Sequence, residues 1–302
     1  MNLKSRVNFL NQIYYIFLSL RPKQWVKNFF IFLPLLFSKK ILNFDDCAVT
    51  VLTFFLFSLF SGAVYLFNDI LDYQKDRLHP YKRLRPIAAG KLTVTGAWFA
   101  SLFILVSAVV MSSLVSIHLT NIALIYFSLN IAYSLKLKKV VILDVLCIAA
   151  GFVLRVVAGS VVIAVKASHW LLMCAFLISI FIGFCKRRAE LTSLNENANS
   201  HREVLEHYNT AFLDQMIVIS TSTTVMSYAL YTMSEETVQK FSTENLIYTV
   251  PFVLYGIFRY LYIVYKKKSG LSPTEALLKD FPIIICVAAW FVLSGAIIFK
   301  AI

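Results

Sequence analysis

The chain is 302 residues long, 59% hydrophobic and only 15% charged, with a mean hydropathy of +0.73. These values lie outside the usual range of a soluble globular domain and make a lipid bilayer the expected solvent. A formal net charge of +13 would suggest nucleic acid as the partner of a soluble protein; in a membrane protein its meaning lies in how it is shared among loops, and no nucleic-acid partner is expected.

In chain order, the first feature is Met1–Leu20, a mixture of basic and apolar residues with no small-residue cleavage site after it. It reads as an interfacial helix and not as a signal peptide. A transmembrane helix needs roughly 20 mostly apolar residues to cross about 30 Å of hydrocarbon. Nine stretches approach that requirement: Trp25–Phe37, Cys47–Phe67, Thr95–Ile117, Asn121–Leu135, Val140–Ala164, His169–Cys185, Leu213–Met233, Leu246–Tyr265 and Phe281–Phe299. The first and fourth are short. The expected fold is therefore all-α and polytopic, with about nine transmembrane helices. No polar stretch is long enough to hold a soluble domain, so residues 1–302 read as a single membrane-embedded domain. The five cysteines are scattered singly without CxxC spacing, which indicates neither a zinc site nor a disulfide framework.

Positive charge gathers on alternate connections, at Lys75 to Lys91, Lys136 to Lys139, Lys186 to Arg188 and Lys266 to Lys268. The positive-inside bias places these connections and the N-terminus in the cytoplasm, in a multi-pass protein of the inner (plasma) membrane. The two longest polar stretches, Asn68 to Thr93 and Lys186 to Asn209, share that side, so the chemistry is expected to face the cytoplasm. Arg155 and Arg259 fall inside predicted spans, where an ionised group is costly and is a functional candidate by default. The longer connection on the other side, Ser234 to Asn245, reads as a solvated acidic connector.

The strongest chemical signal is Asn68-Asp69-Ile70-Leu71-Asp72-Tyr73-Gln74-Lys75-Asp76, which continues the second predicted span where it leaves the membrane. Asn68, Asp72 and Asp76 recur every four residues and are expected on one helix face, with Asp69 beside them. Carboxylates at the C-terminal end of a helix oppose its dipole and repel one another, so they call for a cation. Hard oxygen ligands suit Mg²⁺, which usually completes its shell with water and substrate phosphates. The basic turn that follows, with Arg77, Lys82, Arg83 and Arg85 around Pro80, Pro86 and Gly90, supplies phosphate-binding cations beside that cluster. His79, placed before a proline, carries no assigned acid or base role, and His201 and His207 lie in a polar segment that reads as solvated.

The aspartate-rich string followed by Arg85-Pro86 resembles the first acidic motif of the UbiA superfamily of intramembrane prenyltransferases, whose fold is nine helices around a central cavity. Tyr133-Ser134-Leu135-Lys136-Leu137-Lys138, with Asp144 downstream, resembles the second motif, although the usual paired aspartates are reduced to Asp144, with Arg155 further along. That departure, together with Arg21 to Asn28, Lys186 to Leu191, Arg259-Tyr260 and Ser272-Pro273-Thr274-Glu275, resembles the decaprenyl-phosphate phosphoribosyltransferase branch of the superfamily.

The resemblance implies a magnesium-dependent transferase. Its donor is phosphoribosyl pyrophosphate, a soluble diphosphate, and its acceptor is a polyprenyl phosphate in the membrane. It further implies Asn68, Asp69, Asp72 and Asp76 as holders of Mg²⁺ on the diphosphate, with Asp144 assisting. Lys23, Lys82, Arg85, Lys186 and Arg188 become candidates for the donor's ribose phosphate, Tyr133 and Glu190 for orienting them, and Lys138 belongs to the second motif. Arg155 is expected to meet a phosphate shared with Asp144. The nearer alternative is a prenyltransferase acting on an aromatic or glycerol-phosphate acceptor; the more distant one is a transporter, whose charges should line a path near the midplane.

Overall fold

The computed structural model describes residues 3–78, 82–194, 203–266 and 279–300. His79, His201 and the Ser272–Glu275 motif lie outside the described residues. Among the described residues there are helices and no strand. Inside a bilayer this is the economical outcome for an open chain, because a helix satisfies its own backbone hydrogen bonds where no water can.

Helix α1 spans Leu3–Ser19 and is followed by a 3-10 segment, Pro22–Phe32, that runs directly into the short α2, Leu33–Phe37. Then come α3 (Phe44–Leu78), α4 (Val94–Val115), α5 (Ile117–Leu135) and α6 (Leu143–Val162). The remainder comprises α7 (His169–Leu194), α8 (Thr210–Met233), α9 (Glu235–Phe241), α10 (Val250–Lys266) and α11 (Phe281–Ile298). Local chemistry marks several starts. Thr93, Asn209 and Asp280 each accept a backbone N–H of the first turn that follows, and Pro282 opens α11 where a missing N–H costs nothing.

Among the described residues, six helical stretches are long and apolar enough to cross a membrane: Phe44–Leu78, Val94–Val115, Leu143–Val162, His169–Thr192, Asn245–Lys266 and Phe281–Ile298. The chain is therefore a multi-pass membrane protein, while the full set of nine crossings is not established by length and composition. α5 and α8, at 19 and 24 residues, have the length but carry more polar side chains. The expected first span, Trp25–Phe37, is not one α-helix. The 11-residue 3-10 segment, which starts at Pro22, and the five-residue α2 together rise about 30 Å, because a 3-10 helix climbs about 2.0 Å per residue against 1.5 Å for an α-helix. Counted from Pro22, this part of the chain thus reaches the thickness of the hydrocarbon.

α6 is bordered by α3, α5, α7 and the 3-10 segment, and it joins two apolar cores. Val145 near its start packs with Phe181, Ile217 and Ile257, whereas Ala158 near its end packs with Ile31, Phe57, Phe60 and Tyr126. By contrast α4 turns Phe99, Leu102 and Phe103 outward, as expected of a lipid-facing surface. Inward-facing hydroxyls such as Ser58, Ser160, Ser179 and Thr224 bond the carbonyl four residues back, so these groups are satisfied where the helices approach.

The 3-10 segment lies against α6 at Gly159, where a Cβ would stand 2.1 Å from the Ile31 carbonyl oxygen. Gly295 in α11 has nothing within 4 Å of the same position. Gly159→Ala is therefore expected to destabilise the protein by about 1–3 kcal/mol, since backbone must move. Gly295→Ala should be neutral or slightly stabilising. Melting temperatures of the two variants in detergent check this; equal values would contradict the close approach.

Candidate active site at the end of the long helix

α3 has 35 residues and so extends for about 52 Å, well beyond a hydrocarbon layer of about 30 Å. Its surplus is the acidic motif. Helical geometry sorts that motif differently from the four-residue spacing alone. Positions seven apart drift only about 20° around a helix, whereas positions eight apart drift about 80° the other way. Asp69 and Asp76 therefore share one line, and both are buried. Asn68 and Asp72 share the neighbouring one.

The two lines meet different partners. Arg85 Nη1 donates to Asp69 at 3.0 Å and to Asp76 at 2.6 Å, clamping the two carboxylates together. Arg21 donates to the same Asp69 oxygen at 2.5 Å, with its guanidinium over the Tyr65 ring. Asp72 is more exposed and meets Lys138 at 3.3 Å. The side-chain oxygen of Asn68 is buried and has no hydrogen-bond partner among the described residues.

Arg85 is held in place by its loop. Ile87 and Leu92 are buried against Leu66 and Ile70 of α3, and Pro86 accepts from the N–H groups of Lys91 and Leu92. Gly90 takes φ +71, a left-handed conformation for which glycine is suited. Arg77 donates to the Ala88 carbonyl and so serves the loop's own structure. Lys82 opens the short turn that leads to Arg85 and, like Lys23, is exposed.

A second charged cluster lies across the α5–α6 connection. Arg187 of α7 is fully buried and donates through Nε to Asp144, through Nη1 to Glu190 at 2.6 Å and through Nη2 to the Tyr133 hydroxyl at 3.2 Å. The other Asp144 oxygen accepts from Tyr208 at 2.8 Å. Burial pushes the Tyr208 phenol up from its ordinary value, which keeps it protonated as that donor. Glu190 also meets Lys186 at 3.7 Å. Tyr133 at the end of α5 belongs to this cluster while Lys138, just after α5, belongs to the first, so one connection links them.

Several sequence expectations change here. Both Asp144 oxygens are engaged within the protein, one by Arg187 and the other by Tyr208. A phosphate shared by Asp144 and Arg155 is excluded by length, because eleven residues of α6 separate their backbones by about 16 Å. Arg155 instead bonds Asn28, Gly151 and Tyr126. Arg188 is drawn to α8 and α10, donating to Asp214 at 2.5 Å and lying 3.8 Å from the Tyr265 ring centre. Arg259, the other charge inside a predicted span, makes two bonds to Asp280 and ties α10 to α11.

Spacing gave no means of finding Arg21 or Arg187 among several neighbouring cations. Each is identified only by the distant carboxylate it reaches. Among the described residues no group of three His, Cys, Asp or Glu side chains is gathered closely enough to hold a metal alone. The orphaned Asn68 oxygen beside the accessible Asp72 carboxylate is nevertheless a hard-oxygen pair of the kind Mg²⁺ takes when phosphates and water fill its remaining positions. The residues present fit that ion as a partner of a diphosphate.

Comparison with known proteins agrees with this layout. The chain is 30% identical to the decaprenyl-phosphate phosphoribosyltransferase of Mycolicibacterium smegmatis, over 93% of this chain and 91% of that protein. It is 31% identical to the Corynebacterium glutamicum protein of the same name, over 90% and 83% of the two chains. Among solved structures, a UbiA homologue from Archaeoglobus fulgidus bound to GPP and Mg²⁺ superposes with a TM-score of 0.71 at 18% identity, covering 94% of this chain and 99% of that one. The fold is thus shared at low identity, and the profile of the UbiA prenyltransferase family matches residues 29–279, so the chain belongs to that family.

Proposed function

We propose that this protein transfers the 5-phosphoribosyl group from phosphoribosyl pyrophosphate to a polyprenyl phosphate and releases diphosphate. The observation that carries the reading is near-full-length similarity to two decaprenyl-phosphate phosphoribosyltransferases in a chain whose carboxylates and cations meet at one end of the bundle. The whole chain acts as one membrane-embedded domain in the inner (plasma) membrane, N-terminus and site toward the cytoplasm, where a soluble donor is available.

Asn68 and Asp72 would hold Mg²⁺, with Asp69 and Asp76 behind them. When bound, the ion supplies charge neutralisation to the departing diphosphate. The protein's own part is electrostatic. Arg21, Arg85 and Lys138 neutralise Asp69, Asp76 and Asp72, which lets three acidic groups stand together, and the same cations lie ready to bond phosphate oxygens. As the bond from ribose C1 to the diphosphate oxygen breaks, a bond from C1 to the lipid phosphate oxygen forms, and positive charge develops on the ribose ring. No base is needed, since a phosphate monoester with a second pKa of about 6 is already anionic near pH 7. Arg187 is a positioning residue: it fixes Tyr133 and Glu190, and Glu190 in turn holds Lys186. Lys23, Lys82 and Lys186 are then the accessible cations for the donor's remaining phosphate.

Purified protein supplied with radiolabelled phosphoribosyl pyrophosphate, Mg²⁺ and polyprenyl phosphates of several lengths should yield a labelled lipid, and chelation of the metal should stop it. Absence of labelled lipid at every chain length would overturn the reading.

A further inference from the structure

Below the acidic rim lies a second charged layer that the proposed chemistry has not used. Arg155, 4% exposed, donates through Nε to Asn28 at 2.7 Å, through Nη1 to the Gly151 carbonyl at 2.7 Å and through Nη2 to the Tyr126 hydroxyl at 2.8 Å. Its guanidinium also lies 4.7 Å from the Tyr126 ring centre and 5.2 Å from that of Phe152. Every one of these partners is neutral. Lys27, one residue before Asn28 on the 3-10 segment, is half-buried. Among the described residues, the charges that act on it most are those of Arg155 and Arg21, both of its own sign.

A buried cation whose partners are all neutral, with a second, half-buried cation one residue from its partner Asn28, carries a desolvation cost that mutual repulsion increases. Arg155 has five N–H donors, and its three protein bonds leave donors free for a further acceptor. The remaining neighbours are polar and fixed. Asn28 donates to Ser58 at 2.9 Å, and Ser61 lies 3.3 Å from the Tyr126 hydroxyl.

Depth can be read on two helices. Ser58 precedes Asp69 on α3, and Arg155 follows Asp144 on α6, each by eleven residues or about 16 Å of rise. The Arg155 side chain turns back one helical turn to Gly151, which brings its charge about 6 Å nearer the rim. A ligand whose diphosphate end sits at the aspartates can therefore present a second anionic group to this layer.

We infer that Lys27 and Arg155 form a binding subsite for a phosphate monoester inside the bundle, with Asn28 and Tyr126 holding the guanidinium in place. A monoester carries a charge of about −1.5 to −2 at pH 7, which matches two cations. The assignment rests on the phosphoribosyl-transfer reading, in which both substrates carry such a group: the ribose 5-phosphate of the donor and the phosphate of the lipid. The chemistry of recognition is the same for both.

The experiment measures Kd for four ligands on purified wild type and Lys27→Met: polyprenyl phosphate against the free polyprenol, and phosphoribosyl pyrophosphate with Mg²⁺ against ribose 1-diphosphate lacking the 5-phosphate. Wild type should prefer each phosphorylated ligand, and in Lys27→Met the preference should fall by about tenfold or more for one pair, as expected for loss of a charge-assisted contact. Loss in the lipid pair assigns the subsite to the acceptor, and loss in the donor pair assigns it to the ribose phosphate. Lys27→Arg, which keeps the charge, should retain most of the preference. Lys27→Gln replaces the methionine variant if the latter does not melt cooperatively. Unchanged preference in both pairs overturns the subsite alone. A wild-type protein that binds none of the four ligands overturns the transferase reading as well.

Discussion

Asp72→Ala is expected to lower kcat by about 10²–10³-fold or more, the scale of losing one fixed electrostatic contact to a transition state, while the protein remains folded. Asp72 is the cleanest probe of the acidic motif because it is accessible and its ion pair with Lys138, at 3.3 Å, is long and partly solvated. Such a pair contributes about 0–1 kcal/mol to stability. Its removal also breaks the hard-oxygen pair with Asn68. Asp76→Ala should cost activity too, but it is a less selective test: Asp76 is buried and its loss leaves Arg85 with Asp69 alone. The measurement is turnover against Mg²⁺ concentration, with a thermal melt as the folding control. Wild-type turnover in a folded Asp72→Ala protein would remove the metal from this position.

The largest expected effect on stability belongs to the buried cluster around Arg187. Arg187→Met should destabilise the protein by about 3–5 kcal/mol, because it strands Asp144 as a buried, uncompensated carboxylate. Asp144→Leu should cost a similar amount by stranding the guanidinium, although Glu190 and Tyr133 still offer it acceptors. The double variant is expected to recover much of the loss, since removing both members of a buried pair also removes their desolvation cost. Chemical denaturation or melting of the three proteins measures the coupling directly. Strictly additive losses would show that the two residues do not act as a pair.

Much of the fold was legible before any coordinate was known. Apolar run length located the helices, and the surplus of α3 was visible as polar residues continuing a span. The exception is instructive. Trp25–Phe37 looked short because α-helical rise was assumed; the 3-10 winding of Pro22–Phe32, seated against Gly159, changes the length that those residues cover. The acidic motif was legible as a charged cluster at the end of a span, yet spacing by fours placed Asp76 with Asn68 and Asp72, whereas Arg85 joins Asp76 to Asp69.

Taken alone, the amino-acid order determined the solvent, the helical class, the rim motif and the side on which cations gather, because each depends on hydrophobic run length or on charge along a local stretch. Only the tertiary structure decided which cation meets which carboxylate. Lys138 reaches Asp72 across 66 residues, Arg21 reaches Asp69 across 48, and Arg187 reaches Asp144 across 43. No periodicity within one helix carries such information. Those pairings arise when packed helices bring distant charges into a medium too poor in water to leave them unpartnered.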